Sequence, residues 1–332
     1  MSGCPKLVLA GSPLLSYMPI VDLASGELLG FEASASWEHP IHGHIPAEWL
    51  SAWAAANGGE EALAAWAMRE ACIQAQLWST RLQLGLQCSR SLLRAGVASR
   101  CMRSALEASE VNPDRITLEV VESSITDGGS SGDLSEITGM GVHLSIDEVG
   151  TSWASMDTMC RHKIDTVKIA SGFISRLESD QGVTRCIIEA VIDLSHGMGA
   201  STLAEGVQSH EQALTLQSLG ADAAQGTFFS PVLSADEAER LGGRTPVARF
   251  SLRQGTEAED SQEPSQISLV AAHQARSPGK AACMSYAMGP EAVAALWHST
   301  DSPCSQESHT LADGWPPRQR NEFYRPKLRL IK

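Results

Sequence analysis

Residues 166–208 read TVKIASGFISRLESDQGVTRCIIEAVIDLSHGMGASTLAEGVQ. Two short apolar, β-prone runs, Thr166–Ile169 and Ser201–Ala204, enclose Val183–His196, where Ile187, Val191 and Leu194 recur at helical spacing. Strand, helix and strand in that order make a parallel pair. A lysine, Lys168, sits near the end of the first run, and Glu205 immediately follows the second.

The same alternation extends in both directions. Further apolar runs lie at Tyr17–Leu23, Leu28–Ala35, Leu82–Cys88, Ile116–Val121, Val142–Ile146 and Ala221–Phe228. Helical periodicity returns in Ala62–Leu77, through Leu63, Trp66, Ala67 and Ile73, and in His210–Leu219, through Ala213, Leu216 and Leu219. Strands alternating with helices over this length imply a mainly parallel sheet, either open or closed into a barrel. Near the end of a run, or just after it, stands a polar side chain in seven cases: Glu32, Gln87, Glu119, Asp147 with Glu148, Lys168, Glu205 and Gln225. In a βα barrel the C-terminal strand ends share one mouth, where active sites are built. A cluster of hard oxygen donors there suits Mg2+ or Mn2+ rather than zinc. Crowded carboxylates need a cation, because unpaired ones raise one another's pKa. Metal-assisted attack of water on a phosphodiester is the matching reaction class.

The motifs resemble those of the EAL domain family. They run in order through Tyr17–Leu23 (YMPIVDL), Gly30–Trp37 (GFEASASW), Leu118–Ser123 (LEVVES), Ser145–Met156 (SIDEVGTSWASM), Val167–Ile169 (VKI), Leu203–Gln208 (LAEGVQ) and Ala224–Ser230 (AQGTFFS). The resemblance implies a TIM-like (βα)8 barrel, commonly with an inverted first strand. It also implies hydrolysis of cyclic di-GMP to pGpG with Mg2+ or Mn2+. It assigns metal ligation to Glu32, Glu119 and Asp147, with Gln87 and Glu148 standing where two further ligands belong. Glu205 falls at the general base, Lys168 at the lysine that contacts the metal-bound water, Glu122 at the acid anchoring the loop after Asp147, and Gln225 at the site glutamine.

Several positions depart from the family pattern. Glu-Ala-Leu is Glu32-Ala33-Ser34, and the arginine that contacts the ligand phosphate is Ser36, which loses a charged multi-donor group. The ligand asparagine is Gln87, and the second of the paired aspartates is Glu148, each longer by about 1.5 Å. The aspartate after the lysine is Ala170, the last acid of the Glu-Gly-Val-Glu motif is Gln208, and the threonine of Glu-x-Thr-Glu is Val121. Misplacement on this scale can cost about a hundredfold in rate. Impaired or absent hydrolysis with a binding or regulatory role is therefore expected. An active Mg2+- or Mn2+-dependent phosphodiesterase and a protein-interaction module that no longer sees nucleotide are the alternatives.

Composition bounds the remaining classes. The net charge of -14 argues against duplex nucleic acid, which requires excess Lys and Arg. No segment is long enough for a membrane helix, and Leu7–Ala10 is too short for a signal-peptide core, so a cytoplasmic protein away from membranes is expected. The eight cysteines form no C-x-x-C pair and read as reduced, mostly buried thiols. His39, His42 and His44 read as a surface loop, and Trp37, Trp49, Trp53, Trp66 and Trp78 as core. Past Leu241 periodicity is lost. The expected division is a lead over 1–13, a barrel over 14–241, and a mostly irregular linker and basic tail over 242–332, ending in Arg318–Lys332. A protein partner and a homodimer are left open.

Overall fold

The computed structural model describes residues 12–39, 43–94, 96–125, 131–149, 162–180, 182–244 and 247–251. Ten strands form one sheet: β1 (Ser12–Asp22), β2 (Leu28–His39), β3 (Gly43–Ile45), β4 (Gln83–Cys88), β5 (Ile116–Val121), β6 (His143–Val149), β7 (Thr166–Ile169), β8 (Ser201–Ala204), β9 (Ala223–Ala224) and β10 (Leu233–Ser234). Strands β2, β4, β5, β6, β7, β8 and β9 pair in parallel, each with the next. Strand β1 runs antiparallel to both β2 and β9 and so closes the ring. The result is an eight-stranded barrel with an inverted first strand, and β3 and β10 lie outside the ring.

Alternation along the strands sorts the side chains. Phe31, Leu84, Leu118, Val120, Leu144, Ile146, Val167 and Ile169 are fully buried and form the layer beneath the helices. The residues between them, Glu32, Gly85, Glu119, Ser145 and Lys168, belong to the opposite, interior face. Helices at Glu60–Ala75 and Val183–Gly197 occupy the stretches that periodicity marks. Further helices lie at Ala47–Ala56 and Val97–Ser109.

Three expectations are corrected. The run Ala221–Phe228 yields only the two-residue β9, because Gly226 (φ 150°) lies so close to the neighbouring chain that a Cβ would stand 2.2 Å from the Val207 carbonyl oxygen. His39 is not in a surface loop: it ends β2, is buried, and meets the Trp37 ring edge-on. His44 does lie exposed, on β3, against Glu38; His42 lies outside the described residues. Of the five tryptophans, Trp37 and Trp78 are core, whereas Trp49, Trp53 and Trp66 are half-buried.

Packing on the barrel continues past Leu241. Gly242 sits against the Trp78 ring, where an added Cβ would come within 2.9 Å. The Leu28 amide donates to the Ala248 carbonyl at 2.9 Å and the Phe250 amide to the Gly26 carbonyl at 2.7 Å, with Ala248 and Phe250 buried. Gly242, Ala248 and Phe250, past the expected boundary at Leu241, thus touch the barrel. The tail over 252–332, with its basic end, lies outside the described residues. Cys72, Cys88 and Cys101 are buried thiols and Cys186 an exposed one. Among the described residues no helix is long and apolar enough to cross a membrane.

Candidate functional site at the barrel mouth

Four strands, β2, β5, β6 and β7, and the turns just past β8 and β9 deliver one constellation. Lys168, from β7, is fully buried, and its Nζ donates to Glu119 Oε2 of β5 at 2.6 Å and to Glu32 Oε2 of β2 at 2.9 Å. The same nitrogen lies 2.7 Å from Glu205 Oε1, just past β8, and 3.8 Å from Asp147 Oδ2 of β6. Gln225, just past β9, donates from Nε2 to Glu32 Oε2 at 2.6 Å and to Glu205 Oε1 at 3.3 Å. Room for this gathering comes from β4: a Cβ on Gly85 would stand 2.2 Å from Glu119 Oε1. The parallel register places Gly85 beside Glu32 and two residues before Gln87, the partner of Glu119, on the same face, so only glycine fits there.

Four carboxyls around one ammonium cannot all ionise cheaply in a desolvated space. Burial, then the Glu32 charge, pushes Glu119 up to about 8. Burial likewise pushes Glu205 up to about 7 against the opposing pull of Lys168, with Asp147 and Glu32 adding to the rise. Glu32 goes the other way: burial works against its charge, but Lys168 and the hydrogen bond from Gln225 outweigh it and lower the pKa. Burial should discharge Lys168, yet Glu119, Glu32, Glu205 and Asp147 together hold its pKa well above the ordinary value. The lysine is a fixed charge; Glu119 and Glu205 are the groups that exchange protons near neutrality.

Not every residue singled out in the sequence joins this set. Gln87 is exposed at the end of β4, although it pairs with Glu119 in register. Glu148 is exposed too, and its backbone is left-handed (φ 59°), with its amide donating to Asp147 Oδ1 at 2.7 Å. Burial and the neighbouring Asp147 raise its pKa. Ser36 is buried on β2, Ala170 is buried at the start of the short helix Ser171–Ile174, and Gln208 is exposed, its amide donating to Gln212 Oε1 at 2.8 Å. Glu122 is buried one residue past β5; most of the loop it is expected to anchor, 150–161, lies outside the described residues. Sequence reasoning missed Gly85, whose role appears only in its contact with Glu119. It also missed Ser145, in register with Glu119 and fully buried.

The donor chemistry fits a hard divalent cation. Besides the four carboxyls, Gln225 Oε1 and Ser145 Oγ are buried oxygens without a hydrogen-bond partner among the described residues. Buried polar atoms of this kind are normally satisfied. Among the described residues no three His, Cys, Asp or Glu side chains stand in metal-binding geometry, because the carboxyls close on Lys168 instead.

Comparison with known proteins points one way. The EAL domain family model matches residues 7–232. Uncharacterized protein y4lL of Sinorhizobium fredii is 31% identical over 228 residues, covering 68% of this chain and 27% of that protein. Bifunctional diguanylate cyclase/cyclic di-GMP phosphodiesterase MucR of Pseudomonas aeruginosa is 30% identical over 231 residues, covering 68% of this chain and 33% of its own. The solved structure of the PaMucR phosphodiesterase in complex with c-di-GMP is similar, with a TM-score of 0.64 and 30% identity over 68% of this chain and 93% of that one. The chain therefore spans no more than about a third of the length of these two curated relatives.

Proposed function

Because the chain belongs to the EAL domain family, we propose that it holds cyclic di-GMP at the carboxylate mouth of its barrel and hydrolyses it weakly or not at all. One observation carries this reading. Lys168, Glu32, Glu119, Asp147, Glu205 and Gln225 form a closed set, whereas Gln87 and Glu148 face solvent beside it.

Glu32, Glu119 and Asp147 are the residues that would hold Mg2+ or Mn2+. When bound, that cation supplies Lewis acidity to the phosphoryl group and acidity to a water. The chain's own residues do the rest. Glu205, whose proton affinity lies near neutrality, accepts the proton of the attacking water at its carboxylate. Lys168 keeps a permanent positive charge beside it and fixes the orientation of Glu32, Glu119 and Glu205. Gln225 holds Glu32 from the opposite side. The weakness enters at the rim. Ser36 offers no fixed positive charge to the second phosphate, and Ala170 offers no donor or acceptor side chain.

The test is a pair of measurements on the purified chain: cyclic di-GMP binding by calorimetry, and pGpG formation with Mg2+ or Mn2+. Binding with little pGpG supports the reading. Robust pGpG formation promotes full phosphodiesterase activity, the second reading, which the intact Lys168–Glu205 pair favours. Absence of binding removes both and leaves a protein-interaction module. Restoring Ser36→Arg, Gln87→Asn, Glu148→Asp and Ala170→Asp together is expected to raise turnover more than any single change, since residues acting as a unit are not additive.

A further inference from the structure

The floor of the mouth holds one side chain that the contacts around Lys168 leave out. Ser145 stands on β6, two residues before Asp147 and therefore on the same interior face. It is 1% exposed, and its Oγ has no hydrogen-bond partner among the described residues. Alanine would fill nearly the same space without burying a donor. The hydroxyl is therefore a burden in this arrangement, and a buried polar atom of this kind calls for a partner.

The register gives that partner. Ser145 pairs with Glu119 of β5 across the parallel ladder, where adjacent strands lie about 4.8 Å apart. The Glu119 carboxyl can reach the Ser145 hydroxyl by a change of side-chain torsion alone. In this arrangement it leans the other way. Its Oε1 lies over Gly85 of β4, on the side of β5 opposite to β6, and its Oε2 accepts from Lys168 Nζ at 2.6 Å. A divalent cation competes with the Lys168 ammonium for these same oxygens.

We propose that Ser145 is a positioning residue for Glu119, its hydroxyl donating to the Glu119 carboxylate when that group turns from Gly85 and Lys168 to hold Mg2+ or Mn2+. The inference rests on the cation reading of the mouth given above. It has a consequence that a packing role does not share. The hydroxyl is a burden while Glu119 stays with Lys168 and a support once Glu119 holds the cation. Its removal therefore acts with opposite sign in the two states.

The experiment compares the full chain with its Ser145→Ala and Ser145→Cys variants. Mn2+ alone is titrated in, with the free-ion electron paramagnetic resonance signal reporting the unbound fraction. Melting temperatures are read in chelator and in saturating Mn2+. In Ser145→Ala the Mn2+ affinity is expected to fall about tenfold, while the melting temperature in chelator stays level or rises. Ser145→Cys keeps the volume but has only a weak donor, so its affinity follows that of Ser145→Ala. A Mn2+ affinity in Ser145→Ala within about twofold of the full chain overturns the assignment and leaves the cation reading standing. A melting temperature that falls as far in chelator as in Mn2+, or a Ser145→Cys variant that binds as the full chain does, gives Ser145 a packing role and overturns it too. If Mn2+ does not bind the full chain, the cation reading fails and takes this assignment with it.

Discussion

The barrel mouth has a centre and a rim, and the two differ in how tightly their side chains are coupled. At the centre, Glu32, Glu119, Asp147, Lys168, Glu205 and Gln225 are linked by contacts to one nitrogen or one amide. At the rim, Gln87, Glu148 and Gln208 are exposed, and Ser36 and Ala170 are small. The physical difference is coupling. Removing one member of the buried set strands the charge of another, whereas an exposed side chain can change length with solvent taking over its hydrogen bonds. A site can therefore lose its rim without unfolding its centre.

The comparison breaks most visibly at Lys168. Lys168→Met leaves four carboxyls crowded in a buried space without their cation, at a cost of about 3–5 kcal/mol at neutral pH. Urea unfolding in chelator measures it. A loss below about 1 kcal/mol would mean that the centre is not a coupled unit.

pH tests the same centre without mutation. A free glutamate titrates near 4.5, and Glu119 and Glu205 are raised to about 8 and about 7 by the fold. A raised value means that the folded state favours the protonated form. That contribution is complete below about 4.5 and is lost as pH rises through 7 and 8. Glu32, Asp165 and Asp222, which are lowered, act in the acid range below their ordinary values, while Glu148, which is raised, adds to the same loss as pH rises. The melting temperature in chelator should fall between about pH 5 and 8. Glu119→Gln should flatten the slope; an equally steep profile in that variant would assign the effect elsewhere.

Gly85→Ala sharpens the comparison by steric means. The new methyl would meet Glu119 Oε1, which cannot swing away without leaving Lys168. A cost of about 1–3 kcal/mol is expected. In a Glu119→Ala background the same change should cost much less, and additivity of the two would show that the methyl is accommodated differently.

At the rim the backbone carries the larger effect. Glu110 and Glu148 share a left-handed conformation (φ 57° and 59°), one closing the helix Val97–Ser109 and the other beside Asp147. Glycine at either relieves about 1 kcal/mol of strain. A smaller gain at Glu148 than at Glu110, read from denaturant midpoints, measures what the Glu148 side chain contributes. Gln87→Asn should change stability least, by less than about 0.5 kcal/mol, as an exposed side chain does. A larger shift would move Gln87 from the rim to the centre.

The sequence by itself located the eight strands of the ring, though not β3 or β10, and the polar residues near most of their ends. Lys168, Glu119 and Glu205 were legible because apolar runs of period two, separated by helices of period 3.6, are local signals that survive without tertiary contacts. The family motifs in their order then distinguished a closed barrel from an open sheet, and the inverted β1 agrees with them. Only the tertiary structure decided which strand-end residues meet. Gln87 and Glu148 look like Glu119 and Asp147 in the sequence, yet the first is exposed at the end of β4 although it pairs with Glu119 in register, and the left-handed backbone at residue 148 turns the second out. Gly85 is one glycine among 28 until Glu119 is placed against it. Residues 247–251 belong to the barrel through backbone hydrogen bonds at Gly26 and Leu28, which no side-chain pattern encodes. Periodicity reports which face of an element is buried; contacts between residues far apart in the chain depend on where the closed ring brings those faces together.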